Sequence, residues 1–192
     1  MNNGMKGILI AVAVIVLLLG IVVMWGIGQY NNVITMDERV KSQWAQVENQ
    51  LKRRYDLIPN LVETVKGYAR HERGTFESIA QARTKYFQAD TVQGKIQAAQ
   101  QVEGLLSRLL LLKEAYPQLK ANESFLKLQD SLEGTENRIA VERKRYNDTV
   151  RELNTYRRTV FGRFFASLAG VNEALYYEVP QEQRETPKVK FN

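Results

Sequence analysis

The sequence predicts an all-α fold: an N-terminal transmembrane helix followed by a long antiparallel three- to four-helix bundle. Three observations predict it. No charge interrupts residues 8–28, "ILIAVAVIVLLLGIVVMWGIG". Beyond that run, apolar residues recur every three or four positions through three stretches of similar length. Only four prolines and twelve glycines punctuate a chain rich in helix formers. The expected division is a short tail over 1–7, an anchor helix over 8–28, the bundle over 29–170, and an extended or mobile tail over 171–192.

The apolar run comes first. About 20 such residues at 1.5 Å each cross the roughly 30 Å hydrocarbon core. A cleaved signal peptide would have a shorter apolar region, about 7–15 residues, ending in a small-x-small site. Gly26-x-Gly28 is a poor version of that site, so an uncleaved anchor is expected. Trp25 and Tyr30 suit the interfacial belt on the exit side. Lys6 stands before the run and Arg39 and Lys41 after it, which marks orientation weakly. A large domain crosses largely regardless of such charges, so the bundle is expected outside the cytoplasm.

The first stretch runs from about Thr35 to Arg70. Val40, Trp44, Val47, Leu51, Tyr55, Ile58, Val62, Val65 and Ala69 form its stripe. Pro59 lies inside it. Proline removes the amide partner of the Tyr55 carbonyl at a cost of roughly 3 kcal/mol, but the stripe keeps phase across it. A bend is therefore expected there, not an end. "HERGTFES" closes the stretch, with Gly74 as a stop and Thr75 as a candidate N-cap.

The second stretch runs from Phe76 to Ala115, with "QADTVQGK" as a break or an irregular turn within it. Pro117 stops it, and Asn122 can cap the next helix. The third runs from Ser124 to about Val160, with Thr135 and Glu142 at positions where the stripe calls for apolar residues. Read as three antiparallel passes of about 55–60 Å each, the bundle places the end of the third helix far from the membrane.

Catalytic chemistry has little to work with. His71 is the only histidine, and there is no cysteine. A two-histidine metal motif and a thiolate zinc site are therefore excluded within one chain. There is no P-loop or GxGxxG run, and the net charge of +6 comes without a nucleic-acid-binding motif. No cofactor, metal site or catalytic residue is expected. Two candidate surfaces remain. Asp56, Pro59, Asn60, Glu136, Asn137 and Arg138 form a candidate polar patch, either setting helix register or facing a partner. Phe161, Phe164, Phe165 and Leu168, flanked by Arg157, Arg158 and Arg163, form a candidate interface at the distal tip. Such a basic amphipathic segment would ordinarily suggest a membrane surface, but three passes carry it away from its own.

The stretches "WAQVENQLKRRYDLIPNLVETVKGYARHE" and "YPQLKANESFLKLQDSLEGTENRIAVERKRYN", together with the apolar anchor, resemble the LemA family of bacterial single-anchor membrane proteins. The family's marked positions fall on Tyr55–Val62, Thr135–Ile139 and Arg145–Asn147. Leu153-Asn154, Phe161-Gly162 and "ASLAGVNEALYY" depart from its pattern. The resemblance implies a helical bundle held at the bacterial inner membrane by one helix, with no enzyme activity and no known cofactor. It suggests a scaffold in envelope stress or membrane organisation that self-assembles or holds membrane protein partners. A sensor or ligand-binding module using the patch around Pro59 and Glu136 is the alternative.

Overall fold

The computed structural model describes residues 3–178, and among these there are six helices and no strand. They are α1 (Asn3–Lys66), α2 (Arg73–Gln88), α3 (Val92–Ala115), α4 (Pro117–Lys120), α5 (Glu123–Arg158) and α6 (Val160–Leu168). The chain forms two compact units. Among the described residues, one comprises 3–42 with Thr149–Ala174; the other comprises Gln43–Asp148 with 175–178.

α1 does not stop at the end of the apolar run. No proline or glycine lies between Gln29 and Ile58, and the Thr35 hydroxyl donates back to the Asn31 carbonyl at 2.9 Å. The helix therefore passes unbroken from an exposed apolar surface into a core stripe. It is long and apolar enough to cross a membrane.

In the second unit the predicted stripe is buried from Trp44 to Val65 on α1 and at Ala69 just past its end, with Val62 half-buried and Leu61 added to it. α1 continues through Pro59 to Lys66. The carbonyl that Pro59 leaves without an amide is taken by α2: Arg83 Nε donates to the Tyr55 oxygen at 3.2 Å. The same guanidinium lies 5.1 Å from the Phe87 ring. Pro59→Ala restores the amide but leaves packing shaped around proline. It is expected to keep the fold and change stability by no more than about 1–3 kcal/mol in thermal unfolding.

The second stretch is two helices. Ala89 and Thr91 are extended, and Thr91 caps α3 by accepting from the Gly94 amide at 3.1 Å. This short link reverses the chain, and α2 and α3 pack on each other. α2 runs antiparallel to α1: Tyr86 packs on Tyr55 at 4.6 Å, and Phe76, ten residues earlier in α2, lines one groove with Val62 and Lys66 later in α1. α3 runs parallel to α1: Lys95 pairs with Glu48, and Glu103 lies within the field of Arg54. Asn122 caps α5 by accepting from the Phe125 amide at 2.9 Å, as expected. α5 then runs antiparallel to α1, with Glu136 on Arg54 and Glu142 on Gln43. The passes number four, not three, because "QADTVQGK" is a reversal.

That even number carries a correction. In the first unit, the end of α5 lies beside the exit end of the apolar run, where the Tyr156 hydroxyl donates to Gln29 Oε1 at 2.9 Å. The aromatic segment is therefore not at a distal tip. Thr159 caps α6, accepting from the Gly162 amide at 3.0 Å. A Cβ at position 162 would stand 1.9 Å from the Tyr156 carbonyl oxygen, so only glycine fits this tight junction. α6 ends in a Schellman turn: Gly170 has φ +67°, and the Val171 amide donates to the Ala166 carbonyl at 3.0 Å.

The expected tail falls partly on residues that are held. In the first unit Asn154 binds Ala174 reciprocally, donating to its carbonyl at 2.8 Å and accepting from its amide at 3.0 Å. In the second unit Asn147 binds Tyr177 the same way, at 3.0 and 2.8 Å. Residues 179–192 lie outside the described residues.

Candidate functional site

The second unit holds a charged cluster at its interior edge. Arg54 comes from α1, Glu103 from α3, and Glu136 and Arg143 from α5. Each of Arg54, Glu103 and Glu136 borders an apolar stripe. Arg54 follows Leu51 by three, Glu103 precedes Leu106 by three, and Glu136 precedes Ile139 by three. That spacing lets the long stems lie along the core while the charges meet.

Arg54 forms an ion pair with Glu136, and the arginine side chain is 12% exposed. Burial pushes the Glu103 carboxyl above the usual carboxylate range. The Glu136 charge adds to this, and Arg54 and Arg143 oppose it. The Arg143 guanidinium lies 5.6 Å from the Tyr177 ring. Burial also raises the phenols of Tyr146 and Tyr177 to about 12, so both stay neutral hydrogen-bond donors. Tyr146 uses its hydroxyl to bind the Leu175 carbonyl at 2.7 Å.

Glu103 has a raised folded-state pKa, so the folded form holds its proton to higher pH than the unfolded form does. Its contribution to stability is therefore lost as pH rises through that raised value. Glu103→Gln is expected to raise the melting temperature at pH 7. The gain should vanish as pH falls below the ordinary glutamate pKa of about 4.3, where both states are neutral. Melting curves across pH check this.

Of the six residues expected to form a polar patch, the structure brings only Glu136 into this cluster. Asp56, Asn60, Asn137 and Arg138 are exposed. Pro59 faces a different feature, a groove of about 780 Å³ between α1 and α2. Ile58, Val62, Phe76 and Ile79 are apolar residues of its lining, which also includes Lys66, Arg70, Arg73 and Arg83 and the carboxylates Glu63 and Glu77. Arg138 lines a shallower groove with Arg53, Leu57 and Asp130. Thr135 is buried and donates to the Leu132 carbonyl at 2.7 Å, which meets its polar need within α5. Glu142 takes Gln43, not a residue near Pro59.

Glu103 reads in sequence as a surface charge, and the structure corrects this. The stripe-edge spacing was the available signal. The arrangement balances two cations against two carboxylates drawn from three helices, α1, α3 and α5. Its plain chemical effect is to set the register of α1, α3 and α5 against one another.

The second expected site is in the first unit. Phe165 is buried and packs on Trp25 with ring centroids 5.8 Å apart, and Phe161 meets Trp25 at 5.1 Å. Phe164 and Leu168 are exposed.

Comparison with known proteins shows the chain's family. The model of the LemA family matches residues 43–191. Two magnetosome proteins of Paramagnetospirillum magneticum strain AMB-1, MamQ 1 and MamQ 2, are each 23% identical, over 78% of this chain and 65% of theirs. The protein LemA of Metamycoplasma hominis is 22% identical, over 73% of this chain and 64% of its own. The chain thus spans just under two thirds of the length of these relatives.

Proposed function

The chain belongs to the LemA family, and from that premise we propose that it is a non-enzymatic helical scaffold anchored in the bacterial inner membrane by a single pass. In this reading the bundle lies on the periplasmic side and self-assembles or holds membrane proteins. Relatives named as magnetosome proteins fit a role in membrane organisation. One observation carries the reading. The helix that exposes the apolar run is the same helix that supplies the stripe buried in the second unit. Anchor and bundle thus share one continuous secondary element, which suits holding a surface at a membrane.

The test is the mass of the full chain in lipid nanodiscs by light scattering. A defined oligomer supports self-assembly. A monomer at every concentration contradicts it.

A ligand-binding module is the second reading, and the groove beside Pro59 favours it. That groove is lined by apolar residues and by four cations and two carboxylates, and two of those cations, Arg70 and Arg73, have no ion pair among the described residues. Thermal stabilisation of a monomer by a fatty acid, lost in Arg70→Ala/Arg73→Ala, would select this reading over the first.

A further inference from the structure

α6 has two apolar faces. Successive residues of a helix are turned by about 100°. Gly162, Phe165 and Ala166 fall on one side, and all three are buried. Val160, Phe161, Phe164 and Leu168 fall within about 100° of one another on another side. They are 84%, 60%, 62% and 63% exposed. Only a narrow sector, with Arg163 and Ser167, is polar.

The exposed face has a specific neighbour. Trp25 is itself 44% exposed and touches both Phe161 and Phe165. Gly26 faces the Phe165 ring, and a Cβ added at Gly26 would stand 3.8 Å from it. α1 presents exposed apolar residues from Ile8 to Ile27. The apolar surface thus runs without interruption from α1 across Trp25 onto α6. A tryptophan at the end of a spanning segment marks the headgroup level. Arg158 and Arg163 are exposed beside α6, and Arg157 is half-buried there with an Nε that has no hydrogen-bond partner. Cations next to an apolar face at this depth match the phosphates of anionic lipid.

We infer that α6 is a second membrane contact: it lies in the headgroup layer of the bilayer that α1 crosses, with Phe161, Phe164 and Leu168 in the acyl boundary and the arginines on anionic headgroups. The inference rests on α1 being a membrane anchor. α6 fixes how the chain leaves the bilayer, because it is tied both to Trp25 and, through the Thr159–Gly162 junction, to α5.

The absence of cysteine permits single-site labelling of the full chain. Leu18→Cys and Phe164→Cys, each bearing an environment-sensitive fluorophore, are reconstituted in nanodiscs of phosphatidylcholine with or without phosphatidylglycerol. Nitroxide lipids and a water-soluble quencher then report depth. The Leu18 label is expected to lose emission to nitroxides deep in the acyl chain. The Phe164 label is expected to lose it to nitroxides near the headgroup, more strongly with phosphatidylglycerol. Quenching of the Phe164 label by the aqueous quencher alone, with Leu18 still lipid-quenched, overturns the inference and leaves the anchor intact. A Phe164 label shielded from both quenchers would mean that protein, such as a second copy, covers the face, and also overturns it. A Leu18 label that no nitroxide lipid reaches removes the anchor, and the inference with it.

Discussion

Trp44→Ala is expected to cost about 3–5 kcal/mol of stability, the range for emptying a large aromatic site in a core. Trp44 is 7% exposed and lies within the second unit. Its ring stands 5.3 Å from Tyr146 and 6.2 Å from Tyr177. It therefore joins α1, α5 and the segment after Leu175 in one contact. Its loss removes both ring contacts and leaves a void that the long helices cannot easily close. Urea unfolding of the detergent-solubilised chain, followed by circular dichroism, measures the change. A loss below about 1 kcal/mol would show that the site collapses freely and that this contact does not hold the segment.

Arg54→Ala is expected to have the next largest effect. Removing one partner of a buried ion pair costs about 3–5 kcal/mol, because a charge is left without compensation. Glu136 is 34% exposed, and water there moderates the loss to about 2–3 kcal/mol. Arg54 is also one of two groups that hold Glu103 down, so the Glu103 carboxyl should move further up in the variant. The loss should therefore be largest near neutral pH and shrink as the carboxylates protonate. Adding Glu103→Gln should recover part of it. No recovery would mean that Arg54 acts through packing of its stem and not through charge.

The apolar stripes were legible because burial imposes the helical period on them. Trp44, Val47, Leu51, Tyr55 and Ile58 on α1, and Leu132, Ile139, Tyr146 and Leu153 on α5, are all buried as that period requires. Asn122 was legible as a cap because its side chain satisfies an orphan amide. The direction of the chain after Ala89 was not legible. A break within a straight helix and a reversal use the same residues, Asp90, Thr91 and Gly94, and leave the same stripe on either side. That ambiguity decides the parity of the passes, and so the direction in which α5 runs along α1. The charged cluster was only partly legible. Arg54, Glu103 and Glu136 show their stripe-edge spacing in sequence, but which of them meet depends on α3 running parallel to α1.

The return of α5 to the exit end of the apolar run is the claim on which the placement of α6 stands. Spin labels at Gln29 and Tyr156, measured as a distance distribution in nanodiscs, test it most directly. Neighbouring packed helices are about 8–10 Å apart between axes, so a single short distance is predicted. A separation of about 55–60 Å, the length of one full pass, would contradict four passes and return the aromatic helix to the far end.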